Sequence, residues 1–202
     1  MPLAVTHVLV PIILLEFFRD RIPKVRKFFS RKYVFLAGIA GLLPDMDLPM
    51  CMLLAAMGQT TPATDVGHRV FLHNIWIPLG FLAFFLLFYY VLPRATRPKR
   101  LNLESKQGRQ KKQSMHSFET FGKIFLILFF AWSIHLALDA ILTGHVMPFY
   151  PLNDYTLNYN LVQKVESATG ISMLTIEVSM DALLLLLWLW HEEFTHKIVD
   201  YF

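Results

Sequence analysis

The sequence predicts an all-α integral membrane bundle of about five transmembrane helices, the second of them broken at a P-D-x-D segment. Three observations carry that prediction. The chain is 55% hydrophobic with a mean hydropathy of +0.45, above the range of soluble domains. Its apolar residues fall into five long runs. Its positive charge is concentrated between those runs: of 19 Lys and Arg, seven lie between Arg19 and Lys32 and eight between Arg94 and Lys112. In a soluble chain such blocks would suggest nucleic-acid binding. Between apolar segments they fit cytoplasmic loops facing anionic lipid, so membrane lipid is the expected partner and nucleic acid is not.

The first run, Pro2 to Phe18, is of marginal spanning length and carries His7 near its start and Glu16 near its end. Its positive charge follows it rather than precedes it, unlike a cleavable signal peptide. Arg19 to Lys32 is a basic loop in which Ile22, Val25, Phe28 and Phe29 interleave with charge, so part of it should lie at the interface. Tyr33 to Met57 is the second run, interrupted by Leu43-Pro44-Asp45-Met46-Asp47-Leu48-Pro49. Two prolines and two aspartates do not fit a lipid-exposed regular helix; the backbone must break there and be buried in protein or face water. Val70 to Pro93 is the third run, preceded by His68-Arg69 and carrying His73-Asn74 near its start. A second basic loop, 94–117, reads as polar enough to be mobile. Phe118 to Phe149 is the fourth run and holds His135 and Asp139. A polar loop leads to the fifth, Ile171 to Trp190, with Glu177 and Asp181 in its first half. The length suits a single membrane-embedded domain over residues 1–202. The lone cysteine, Cys51, excludes an internal disulfide and any multi-cysteine zinc site.

Basic loops belong on the cytoplasmic side. That places the N-terminus outside, with five crossings, and the C-terminus inside. At about 1.5 Å per residue, His135 lies roughly 25 Å beyond Phe118 and so toward the outer side. His7, His68 and His73 start at that side too, and Asp45 and Asp47 sit midway up the second run. His135 and Asp139, four apart, stack on one helix face. Ionisable residues within membrane segments are costly and mark function. Imidazole with carboxylate suits zinc and other divalent first-row metals. The expected metal set is therefore His7, Asp45, His68, His73, His135 and Asp139, with one to three divalent ions and zinc as the expected metal. Two or three such ions with a bridging aspartate suit phosphoester hydrolysis by a metal-activated water. Arg69 would contact the phosphate; Asp45 or Asp47 would be a bridging ligand or general base. His68 and His73 are about 140° apart on a helix, so both can ligate only if one lies off it or if they serve different metals. Asp45 and Asp47 could instead merely cap a broken helix. His145 is a further ligand candidate. Glu177 and Asp181 either orient imidazoles or pair with polar groups inside the bundle. The segment His191-Glu192-Glu193-Phe194-Thr195-His196 imitates a zinc-protease signature, but its histidines are five apart and the motif needs four.

These motifs resemble a known family. G-L-L-P-D-M-D (Gly41 to Asp47), H-R-V-F-L-H (His68 to His73) and H-L-A-L-D-A-I-L-T-G (His135 to Gly144) follow an N-terminal His7. In this order they resemble the YdjM-like family of membrane-bound, predicted metal-dependent hydrolases, also called LexA-binding inner-membrane hydrolases. The chain departs from the family where Leu48 stands in place of a frequent histidine. It departs again at H-R-V-F-L-H-N, where the family often has H-R-G-x-T-H-S. More distantly, the ligand order is similar to that of the zinc-dependent phospholipases C. That analogy implies that Asp45 bridges two metals and that His135 and Asp139 share one.

The resulting expectation is a membrane-bound metal-dependent hydrolase, phospholipase-like, with a phospholipid-type phosphoester as substrate. Two rivals use the same residues. One is a metal or proton transporter with a midplane site in the broken run. The other is a non-catalytic membrane protein whose metal is structural.

Overall fold

The computed structural model describes residues 4–58, 72–95, 106–144 and 146–196. The described residues are helical, with no strand beyond a single bridge between Val146 and Leu157. Helix α1 spans Ala4–Arg21 and short α2 spans Pro23–Phe28. Helix α3, Arg31–Leu42, runs into a 3₁₀ turn at Leu43–Met46 before α4, Asp47–Ala56. The break therefore falls on the P-D-x-D segment, where Pro44 cannot donate to the helix ladder. Helix α5 is Trp76–Ala95. Helix α6, Lys106–Leu138, continues into a π turn at Asp139–Thr143. Helices α7, Leu161–Thr169, and α8, Met173–His196, complete the chain.

Three of these helices are long and apolar enough to cross a membrane: Trp76–Ala95, Met115–Thr143 and Met173–Thr195. Only 11% and 6% of the first and last are buried within the chain. Surfaces that apolar and that uncovered require lipid as their solvent. Helix α1, which holds the first run, closes with Arg19, Asp20 and Arg21, so its last turn is polar. The second is two helices joined by the 3₁₀ turn, each shorter than a membrane crossing.

The core lies between α1, α3 and α6. Ile12 and Leu15 meet Tyr33, Val34 and Ala37, with Ile127 closing the third side. Close approach of α1 to α3 depends on small residues. A Cβ at Gly38 would come within 2.6 Å of Ile12 Cδ1, and one at Gly41 would collide with the His7 carbonyl oxygen. Helix α5 packs on α6 through aromatic rings, with Phe84 on Phe125 at 5.1 Å and Phe81 on Trp132 at 5.4 Å. Helix α8 is fastened to α1 by Asp181, whose Oδ1 accepts from Thr6 N at 2.9 Å and Thr6 Oγ1 at 2.6 Å.

One expectation needs correcting. Residues 106–117, read above as part of a mobile loop, are helical and continuous with the membrane-crossing part of α6. Lys, Gln and Arg are good helix formers, and adding residues to an existing helix avoids the nucleation cost. At the far end of the molecule, His191 Nε2 lies 3.6 Å from Asp20 Oδ2. The protease-like segment is thus packed at the end of α1 opposite His7.

Candidate metal centre

Three separate elements deliver side chains to one buried point. From α6 come His135, at the level of the last regular turn, and Asp139, which opens the π turn. A π turn widens the helix locally, a feature frequent at functional sites. It is closed by Gly144, whose φ of 73° lies in the region that favours glycine. Thr143 Oγ1 donates to the Asp139 backbone oxygen at 3.1 Å and lies 3.3 Å from its Oδ1. From the break after α3 comes Asp45, turned inward by the 3₁₀ geometry. From the bend before α5 comes His73.

That bend is held from both sides. Asn74 Oδ1 accepts from Trp76 N at 3.1 Å and Ile77 N at 3.3 Å, capping α5. The Trp132 indole donates to the Leu72 carbonyl at 2.9 Å, and Ile75 N donates to Pro148 O at 2.8 Å.

The donors converge closely. His73 Nε2 is 3.0 Å from His135 Nε2, 3.5 Å from Asp45 Oδ1 and 3.2 Å from Asp139 Oδ2. His135 Nε2 is 3.5 Å from both Asp45 Oδ1 and Asp139 Oδ2. A tetrahedron with metal–ligand bonds of about 2.0–2.1 Å has edges of about 3.3–3.4 Å. The five edges measured here, 3.0 to 3.5 Å, scatter around that value. His73 and His135 are fully buried and Asp139 is 1% exposed, while Asp45 is 14% exposed and marks the open side.

The proton positions fit a cation as well. His135 Nδ1 is 2.7 Å from the Gly41 carbonyl. A carbonyl only accepts, so that nitrogen carries the proton, and Nε2 is the nitrogen that would offer a lone pair to a cation. His73 Nδ1 faces Asp47 Oδ2 at 3.4 Å, the carboxylate–histidine arrangement that directs the other ring nitrogen to a metal. With both Nε2 atoms deprotonated, two nitrogen lone pairs and two carboxylate oxygens point at one another. A dication at the centre relieves that repulsion and balances the two ligating carboxylates. The residues present fit a divalent metal.

Asp45, His73, His135 and Asp139 thus form one four-donor group among the described residues. His7 lies beside it: its ring stacks on His135 at 4.0 Å, and its Nε2 is 3.4 Å from Asp139 Oδ1. Asp47 lies behind His73. His68, Arg69 and His145 fall outside the described residues. Asp181 binds Thr6, and Glu177 is buried within the bundle at 2% exposure. Sequence reasoning missed the Gly41 carbonyl, the Trp132 indole, the Asn74 cap and the Thr143 hydroxyl. Asn before an apolar run is a readable cap signal. Thr143 stands four residues after Asp139, a readable helical spacing, whereas the Gly41 carbonyl and the Trp132 indole act through backbone atoms far away in sequence and leave no local pattern.

Compared with known proteins, the chain matches the profile of one family, described as YdjM inner membrane protein, over residues 1–199. No curated protein and no solved structure matches it.

Proposed function

The chain belongs to the YdjM inner membrane protein family, and on that premise we propose a membrane-embedded, metal-dependent hydrolase that cleaves a phosphoester of phospholipid type. The observation that carries this reading is the four-donor group, buried at tetrahedral spacing beside a membrane-crossing helix. A divalent ion there, zinc by the donor set, supplies Lewis acidity toward a phosphoryl oxygen and lowers the pKa of an adjacent water toward neutrality. His73, His135 and Asp139 would hold the ion from the buried side. Asp47 and the Gly41 carbonyl fix the two rings. Asp45, the most open donor, meets whatever enters and is the group placed to take a proton from it. Arg69 would contact the phosphate. Asp139 presents one oxygen to the four-donor group and the other to His7, so His7 and Asp139 are the residues that would help to hold any second ion.

One observation favours a structural metal instead. Four protein donors already complete a tetrahedron, whereas catalytic zinc usually keeps a position for water. Hydrolysis then requires five-coordination or displacement of Asp45. Phosphoester hydrolysis by the purified protein in detergent separates the two readings. The proposal expects turnover that a chelator abolishes, zinc restores and Asp45→Asn lowers. Metal-loaded protein without turnover, but with a melting temperature that falls on chelation, would establish the structural reading. Ion flux in proteoliposomes without turnover would establish a transporter.

A further inference from the structure

The segment between the π turn and α7 buries Val146 but leaves five larger apolar side chains outside the fold. Phe149, Leu152, Tyr155, Leu157 and Tyr159 are all exposed, Leu152 at 77%. From Val146 to Gln163 the only charged residue is Asp154. Helix α7, which follows, does not share this property. Its Val162 is 1% exposed and packs with Leu142, Leu138 and Met173. The strap buries Val146, and Lys164 Nζ lies 3.7 Å from the centre of the Tyr159 ring, but Phe149, Leu152, Tyr155 and Leu157 stand at the surface.

Its position is tightly set. Gly144 N donates to Asp139 O at 2.8 Å and Tyr159 N to Ala140 O at 3.3 Å, tying both ends of the strap to the π turn. Val146 and Leu157 pair through two backbone hydrogen bonds, and Ile75 N donates to Pro148 O at 2.8 Å. Gly144 allows Asn158 to close over it, where any Cβ would collide with Asn158 Oδ1. The strap follows one membrane-crossing helix, Met115–Thr143, and α7 joins it to the start of another, Met173–Thr195. Its exposed side chains are thus held where those helices leave the bilayer. This is the face opposite the basic residues that precede Met115.

We propose that the strap at residues 146–160 is a membrane-surface platform, with Leu152, Tyr155 and Tyr159 seated in the headgroup–acyl boundary of the leaflet beside the metal centre. Tyr is suited to that boundary because its ring is apolar and its hydroxyl wet. The near absence of charge removes the desolvation cost that an ordinary surface loop would meet there. The platform roofs the π turn that carries Asp139, so it holds the metal centre at the lipid surface whether or not the centre is catalytic.

The test uses a Cys51→Ser background in nanodiscs of phosphatidylcholine and phosphatidylglycerol, with an environment-sensitive fluorophore attached through Leu152→Cys. Ser167→Cys, on exposed α7, is the aqueous control, and Tyr155→Cys is a second reporter should the first disturb folding. Metal content equal to the Cys51→Ser parent certifies the fold. The proposal expects a headgroup-borne nitroxide lipid to quench the Leu152 label several-fold more than the Ser167 label, with iodide showing the reverse order. Equal iodide quenching at both positions overturns it. So does protection of the Leu152 label from both quenchers in discs holding two chains but not one, because a second copy would then be the occupant.

Discussion

His135 makes its contribution through both ring nitrogens, and the less visible one decides the other. Its Nδ1 is held by the Gly41 carbonyl, so Gly41 serves the centre twice: as an acceptor, and by lacking a side chain where the His7 backbone passes. Gly41→Ala should destabilise the protein by about 1–3 kcal/mol through overpacking and lower its metal content. Both are measurable by thermal unfolding and elemental analysis in detergent. Gly80→Ala is the control, since a Cβ there meets nothing within 4 Å. Asp47→Asn should keep the ion but weaken its affinity by roughly 10–100-fold, the usual effect of removing a partner that orients a ligating histidine; a competition titration with a chromophoric chelator reads this directly. At this scale the sequence was informative for side chains and silent for backbone. His135 and Asp139 announced themselves by helical spacing, and Asp45 by the proline beside it. Nothing in the letter G at position 41 indicates an acceptor, because every residue carries a carbonyl and only the fold selects which one is used.

Among the elements, breaks matter as much as helices. The 3₁₀ turn at Leu43–Met46 presents Asp45 to the centre and starts α4 with Asp47, which favours the positive end of the helix dipole. The π turn at Asp139–Thr143 and the bend before α5 do the same for Asp139 and His73. The proline-based break was legible in the sequence; the π turn was not, because A-I-L-T is compatible with either helix type. Polar 106–117 was misread for a related reason: composition reports solvent exposure, which a helix and a loop share. The α1–α8 contact was left open between two roles for Asp181, and its geometry shows a cross-helix cap. Thr6 N belongs to the first turn of α1, where backbone donors lack intrahelical partners. Asp181→Ala should therefore cost about 1.5–3 kcal/mol, the range for hydrogen bonds to a charged acceptor. Metal stoichiometry should be unchanged, since Asp181 is outside the four-donor group. Loss of the ion in that variant would show that α8 helps to build the centre.

At the scale of the molecule, a bundle core of α1, α3 and α6 supports a centre at one end, with α5 and α8 facing lipid. The architecture was readable from hydropathy because a membrane crossing needs length and apolarity, both one-dimensional properties. Which ligands meet was less so, since helix position along the membrane normal says nothing about rotation about the helix axis. From the basic segments alone we propose an orientation in which the metal centre faces outward. In intact cells, an impermeant thiol reagent should label Ser167→Cys and not Gln113→Cys in a Cys51→Ser background; the reverse pattern inverts the topology.

The central claim is that the four donors bind a divalent ion. Elemental analysis of the purified protein, beside His135→Ala, tests it most directly. The parent protein should hold on the order of one divalent ion per chain that survives dialysis, and the folded variant should lose it. A parent protein that retains no divalent metal after zinc loading, or a variant whose metal content is unchanged, would contradict it.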